Sequence, residues 1–492
     1  MNQRNFSDYL PAALIRDLRQ TYRSPFFLIS YALILLYIWL RSMDGGLDSV
    51  SSLAPLLLMI VIPLRAAQAV SADTRIRGTN FMRLTPLSSR RIVWGIWLSV
   101  FLQIALTTAI LSLLVMPESG AVVYESYVDG DKIVTVAVNA RGWHLQTLLH
   151  TAEAGLVLSA FFMFCSGLAP VFRYCLYGGC LLAAFGSMSF TAFAGMNGSY
   201  ELASAGTLIL QGSWAILLVV LFLELARRSY APPAENCSVS VRLIGLLPLL
   251  IFLAMWGLGV DVSLTENQLL MALGFMVLAA VADAMLPCWS LPVHKKRCLP
   301  LLPKIIQLPG LFPSCLYMVL VAALGIAVTW LYVRHPLEGG YCDTLRAQIA
   351  ILDDWHLPLL ILLRFGLLTL YSLLVTVLLV DLFVRRGNPN RPVAFAIAAL
   401  GLFLFAVVSD APGLPYGFFL ESAFGPLSYD TRYLLALHLS MGASGAEVAQ
   451  NAELSRALDA CQSRNLQFIL IGAVVSALAL VAAYARPPHS RN

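Results

Sequence analysis

Among residues able to do chemistry, Asp283 stands out by its setting, a carboxylate inside an apolar stretch with no cation one helical turn away. An ionisable side chain in such a place either meets a partner from another element or serves a substrate or proton; the first role is expected here, and its own role is left open. Cys342 and Cys461 are the two cysteines that fall in loops expected to face an oxidising side, where they could bridge. The nine cysteines show no C-x-x-C or Cys/His ligand spacing, so no metal or redox motif is indicated. Asp353, Asp354 and His356 supply one histidine and two adjacent acids, which is expected to be a solvated loop and not a metal site. No nucleophile elbow or zinc-protease motif is present, and no G-x-x-x-x-G-K-[ST] phosphate loop. The chain is therefore not expected to be an enzyme.

The elements that would position these residues follow from composition. The 492 residues are 59% hydrophobic and only 12% charged, too apolar for soluble cores. A helix rises about 1.5 Å per residue, so a hydrocarbon layer of about 30 Å needs about 20 apolar residues. Runs of that kind are expected to form about twelve spans near 26–41, 51–70, 92–115, 149–170, 173–195, 206–226, 243–260, 267–287, 313–333, 358–384, 393–410 and 466–485. The runs are continuous and not alternating, which favours an all-α polytopic membrane protein over a barrel.

Cations set the orientation. Arg4, Arg16, Arg19 and Arg23 precede the first run, and Arg75, Arg77, Arg83, Arg90 and Arg91 follow the second. Arg173, the group Arg227, Arg228 and Arg242, the group Lys295, Lys296, Arg297 and Lys304, the group Arg385, Arg386 and Arg391, and finally Arg486 and Arg491 continue the alternation. Both termini are accordingly expected to be cytoplasmic, in the inner (plasma) membrane of the cell. The first apolar run follows a charged segment of about 25 residues and reads as a permanent anchor, not a cleaved leader. The net charge of +5 is accounted for by these loops, and no nucleic-acid patch is visible. Most other ionisable residues near spans have local explanations. Glu224 precedes Arg227 and Arg228, Asp381 precedes Arg385, and Arg65 and Arg364 can snorkel.

Two segments carry more information. In residues 1–25, Arg16, Arg19, Gln20 and Arg23 share one helical face, and Leu10, Leu14, Leu18 and Tyr22 share another, until Ser24-Pro25 breaks the helix. Such a helix would lie in the headgroup plane with its leucines in the acyl boundary, unless it is a plain cationic anchor. The loop 71–91 reads as two short helical starts, one capped by Thr79 after Gly78 and carrying Phe81, Met82 and Leu84, the next opened by Thr85-Pro86. A short amphipathic helix held between two spans is a docking knob for a soluble partner.

The run Asp73, Arg75, Arg77, Gly78, Thr79, Leu84, Thr85, Pro86, Leu87, Ser88, Ile92 and Gly95 resembles the type 2 ABC exporter permeases, and Leu14–Gln20 resembles that family's elbow helix. The resemblance covers about the first 115 residues. It implies that Arg77, Gly78, Thr79, Phe81, Met82, Arg83, Leu84, Thr85 and Pro86 form a coupling helix seated on a cytosolic P-loop ATPase, with Arg16, Arg19 and Arg23 on the elbow helix. ATP and Mg would bind that separate polypeptide, and no cofactor this one. A second permease or an accessory subunit is a further partner it allows, beside the lipid bilayer.

The loop plan repeats, which suggests a 6+6 arrangement: a first membrane domain over 26–228, a linker over 229–241, a second membrane domain over 242–485 with an external loop at 411–465, and a tail at 486–492. In the second half the loop 288–312 would be the counterpart of the coupling loop. Within 411–465, residues 443–461 are expected to form a surface helix. Two further classes of function are compatible with the chain, an ion-coupled secondary transporter and a membrane scaffold. The first usually requires carboxylates near the bilayer midplane, and their apparent shortage weighs for the ATP-driven reading.

Overall fold

The computed structural model describes residues 12–45, 53–75, 88–115, 122–129, 132–166, 205–227, 238–260, 262–285, 310–335, 357–385 and 452–485, with single positions at 50, 178, 305, 306 and 308. The chain divides into two units, residues 1–237 and 238–492, a boundary inside the expected linker.

The first unit begins with α1 (Ala12–Arg23) and α2 (Pro25–Gly45). Ser24 separates them as expected. Its hydroxyl accepts the Phe27 N–H at 3.4 Å, and Pro25 occupies the first helical position, where a missing N–H costs nothing. A π-helical segment, Leu56–Val61, then runs into α3 (Ile62–Arg75). Helix α4 (Ser89–Val115) is capped by Ser88, whose hydroxyl accepts the Arg91 N–H at 3.4 Å. Next come strands β1 (Val122–Asp129) and β2 (Lys132–Asn139), then α5 (Ala140–Ser166) and α6 (Ala205–Arg227).

The second unit contains α7 (Ser238–Gly257), α8 (Val262–Met285), α9 (Leu311–Arg334), α10 (Leu357–Arg385) and α11 (Ala452–Ala485). In each unit the helices pack around an apolar core. One is centred on Leu57, Leu58, Ile92, Ile96, Ile104 and Met163, the other on Phe252, Met276, Tyr317, Leu374 and Val377.

Among the described residues, seven helices are long and apolar enough to cross a membrane, in the segments Leu53–Val70, Ser89–Leu113, His144–Ser166, Leu208–Arg227, Ser238–Gly257, Leu311–Tyr332 and Leu458–Ala485. Shorter apolar segments lie in α2, α8 and α10, at Phe27–Leu40, Met271–Ala284 and Leu362–Val375. Large apolar side chains stand exposed on these helices, among them Leu33, Leu113, Ile216, Leu470 and Leu478. Continuous apolar surface of that kind is costly in water and suits a lipid environment. Apart from residue 178, the runs expected at 173–195 and 393–410 lie outside the described residues.

Two differences from the sequence reading concern segments outside the apolar helices. The segment between the spans expected at 92–115 and 149–170 is not all irregular: residues 122–139 form an antiparallel hairpin in which Val122 pairs with Asn139 and Asp129 with Lys132. The two residues left between the strands are Gly130-Asp131, a composition favoured in two-residue hairpin connections. The expected surface helix at 443–461 is not separate from the last span: α11 runs unbroken for 34 residues from Ala452. No Pro or Gly interrupts its sequence before Gly472, so nothing in the sequence stops the helix at residue 465.

Candidate functional site: buried ionic clamps on the helices that flank the loops

Helix α1 packs on α4, and the face it buries is not the leucine stripe alone. Leu14, Asp17 and Thr21, at i, i+3 and i+7, are all buried, while Arg19 and Arg23 are exposed and Arg16 is half-buried. Leu14 is thus covered by protein and not by the acyl boundary, which corrects the expectation for that residue. Asp17 accepts a hydrogen bond from the Ser99 hydroxyl of α4 and lies 3.6 Å from an Arg65 guanidinium nitrogen of α3. Arg65 therefore has a buried carboxylate to meet and does not snorkel; the carboxylate comes from a helix about 50 residues earlier, beyond the reach of any i,i+4 argument.

A second cluster holds the N-terminus of α4. Glu224 of α6 receives Arg227 at 2.5 Å, the local pair expected from sequence, and also Arg90 of α4 at 3.0 Å. The Arg227 Nε donates to the Ser89 hydroxyl at 3.2 Å. The carboxylate is buried while Arg90 remains half open, so both of its oxygens are used and neither cation is left to be solvated by apolar surface.

The second unit contains the most enclosed charge in the described chain. Arg242 of α7 and Asp283 of α8 are both fully buried, with Arg242 Nε 2.7 Å from Asp283 Oδ2. Arg242 Nη2 donates to the Ser314 hydroxyl of α9 at 3.0 Å, and that hydroxyl donates in turn to Asp283 Oδ2 at 2.8 Å. Arg242 Nη1 takes the main-chain carbonyls of Ile305, Ile306 (3.3 Å) and Leu308 (2.9 Å), which lead into α9. Tyr317 lies beside the guanidinium and donates its hydroxyl to the Arg242 carbonyl at 2.8 Å. Asp283 Oδ1, by contrast, has no hydrogen-bond partner among the described residues. The partner expected for Asp283 on another helix is thus Arg242, which sequence had placed among the solvated cytoplasmic cations.

Local backbone features make this cluster possible. At Gly245 an added Cβ would come within 2.7 Å of both the Tyr317 hydroxyl and the Ala279 Cβ, so only glycine lets α7, α8 and α9 converge here. Gly310 has φ +143°, a backbone state rarely adopted with a side chain, and precedes the first turn of α9. Its carbonyl accepts the Ser314 N–H at 3.0 Å.

The two units therefore share a plan. Each ties together the helix before or at its first apolar run, the helix that enters the next loop and the helix that leaves it, using one acid, one arginine and one serine. In the first unit the acid is on the leading helix (Asp17) and the arginine on the second (Arg65); in the second unit these are exchanged (Arg242, Asp283), with Ser99 and Ser314 on the following helix.

No family model, no curated protein and no solved structure matches the chain.

Other expected site residues divide into two groups. Arg77, Gly78, Thr79, Phe81, Met82, Arg83, Leu84, Thr85 and Pro86 lie outside the described residues, as does Cys342; Cys461 is in α11, and nothing is described of its side chain. Among the described residues, Cys165 and Cys315 are free thiols and no metal-holding group occurs. Arg364 was expected to snorkel, but it donates to Asn465 Oδ1 at 2.9 Å and lies 4.6 Å over the Phe468 ring, joining α10 to α11. A polar group overlooked in the sequence lies on α5. His150 is 3.5 Å from Glu153 and 3.2 Å from the Gln146 amide, on a helix otherwise apolar enough to cross a membrane.

Proposed function

We propose that this chain is the membrane-spanning permease subunit of an ATP-driven ABC exporter, coupled through the short helix at 79–84 to a separate P-loop ATPase that binds ATP and Mg. The reading includes about twelve spans in two sixes, α1 as an elbow helix and both termini on the cytoplasmic side of the inner membrane. The observation that carries it is the coupling-loop sequence 71–91 set between two helices that are each braced by charge. Helix α3, which enters the loop, holds Arg65 against Asp17 of α1; helix α4, which leaves it, is bonded through Ser99 to α1 and through Ser89 and Arg90 to α6. A loop pushed by a partner moves its helices as a body when they are tied in this way, because buried ionic contacts cannot slide without stranding a charge.

The repeated acid, arginine and serine plan supports a duplicated 6+6 architecture. Arg242, by holding the three carbonyls that lead into α9, braces the corresponding loop of the second half.

One observation favours the second reading, an ion-coupled transporter: Glu153 is a carboxylate within an apolar helix, a feature such transporters use. Reconstitution of the chain with and without an ATPase recovered from the same membranes separates the two. Transport that requires ATP supports the permease reading, and transport driven by an ion gradient alone supports the other.

A further inference from the structure

The polar group on α5 is not explained by the clamps or by the loop they brace. The part of α5 that is apolar enough to cross a membrane is His144–Ser166, and His150 and Glu153 lie within it. Each remains about one-third exposed, at 34% and 35%. In hydrocarbon, an exposed carboxylate is costly and is a candidate for binding a donor.

The surroundings define what would fit. Glu153 Oε2 lies 3.5 Å from His150 Nδ1, while its Oε1 faces α6 at Gly212, where a Cβ would lie 3.6 Å away and none is present. A carboxylate has about four lone-pair directions, and the imidazole occupies one. No other described cation is close. Among the described side chains of the helices packed on α5, the charged groups are Arg65 of α3, Arg90 and Arg91 of α4, and Glu224 and Arg227 of α6. Arg65, Arg90 and Arg227 are engaged in the clamps described above, and Glu224 lies 12 residues beyond Gly212, about 18 Å along the helix. The carboxylate therefore keeps several open acceptor directions.

We propose that Glu153, supported by His150 and Gln146 and opened by Gly212, binds the ammonium group of an amphiphilic molecule whose apolar part lies along α5 and α6. A primary ammonium brings three donors and one positive charge to a carboxylate with free lone pairs, and the place of the site within the apolar segment requires the remainder of the ligand to be apolar. The ammonium can come from an aminophospholipid headgroup or from a free amphiphilic amine. The site does not depend on the ATPase reading and survives if that reading fails.

The test uses the full chain in dodecyl maltoside micelles, which contain no ammonium. Octylamine is titrated calorimetrically against wild type, Glu153→Gln and Gly212→Leu, with octanol as the uncharged control and melting curves to establish folding. Saturable octylamine binding that is weakened at least tenfold in both variants, with octanol unaffected, is the expected result; if Glu153→Gln does not fold, Gly212→Leu alone decides. Native mass spectrometry then separates the sources. Phosphatidylethanolamine carried by wild type in preference to phosphatidylglycerol, and displaced by octylamine, assigns a lipid headgroup, whereas octylamine binding without such retention assigns a free amine. Absence of saturable octylamine binding to wild type, or equal binding by folded variants, overturns the proposal.

Discussion

Removing either member of the Arg242–Asp283 pair is expected to be strongly destabilising, and the two removals are expected to differ. Breaking a buried ion pair by deleting one partner costs about 3–5 kcal/mol, because the remaining charge is left in apolar surroundings. In Asp283→Leu, Arg242 loses one of five hydrogen bonds but keeps Ser314 and the three carbonyls of residues 305, 306 and 308. Those carbonyls continue to solvate the cation, so the loss should lie near 3 kcal/mol. In Arg242→Met, all five bonds disappear together. Asp283 retains only the Ser314 hydroxyl, since its other oxygen has no partner among the described residues. That loss should lie near 5 kcal/mol. The double substitution Arg242→Met, Asp283→Leu strands no charge and should cost at least ~2 kcal/mol less than the sum of the singles. Reversible unfolding in mixed micelles, read by tryptophan fluorescence, measures all three. Single losses below about 1 kcal/mol, or a double mutant equal to the sum of the singles, would refute the claim that this cluster is a closed ionic clamp.

Three further outcomes follow from the same geometry. Gly245→Ala places a methyl group where the Tyr317 hydroxyl and the Ala279 Cβ already are, and overpacking of this kind should cost about 1–3 kcal/mol in the same unfolding assay; a neutral effect would mean that the three helices do not approach as described. Asp17→Asn removes the charge that faces Arg65 while preserving an acceptor for Ser99, so it should loosen α1, seen as faster proteolysis of the first 25 residues, with little change in the second unit. If Cys342 and Cys461 bridge, non-reducing electrophoresis of protein from intact membranes should show a compact species that Cys342→Ser and Cys461→Ser each abolish.

Much of the helical architecture was legible because its signal is local. Continuous apolar runs and Ser24-Pro25 fix where helices start and stop with information carried by a few neighbouring residues, whereas the cap of α4 at Ser88 was not singled out. The Glu224–Arg227 pair was legible for the same reason, being one turn apart. Asp17 was not recognised, although its spacing with Leu14 and Thr21 already put it on one face and could have revealed it. Arg242 was hidden more deeply. An arginine at the start of an apolar run is read as a cytoplasmic cation, and only the packing of α7 with α8 and α9 turns it into the partner of Asp283. The α5 pair is inconspicuous in sequence because a glutamate with a histidine one turn before it already has a local partner. The hairpin at 122–139 was missed because alternating segments between two strong helical runs read as loop.

Engagement of a separate ATPase by the loop after α3 is central to the proposed function. The direct measurement is purification of the tagged chain from native membranes in mild detergent, comparing wild type with Phe81→Ala, Leu84→Asp. Recovery of a P-loop ATPase with wild type, and its loss from a variant that still melts normally, is the predicted result; a folded wild-type chain that never retains an ATPase, or a variant that retains it equally well, would contradict the account.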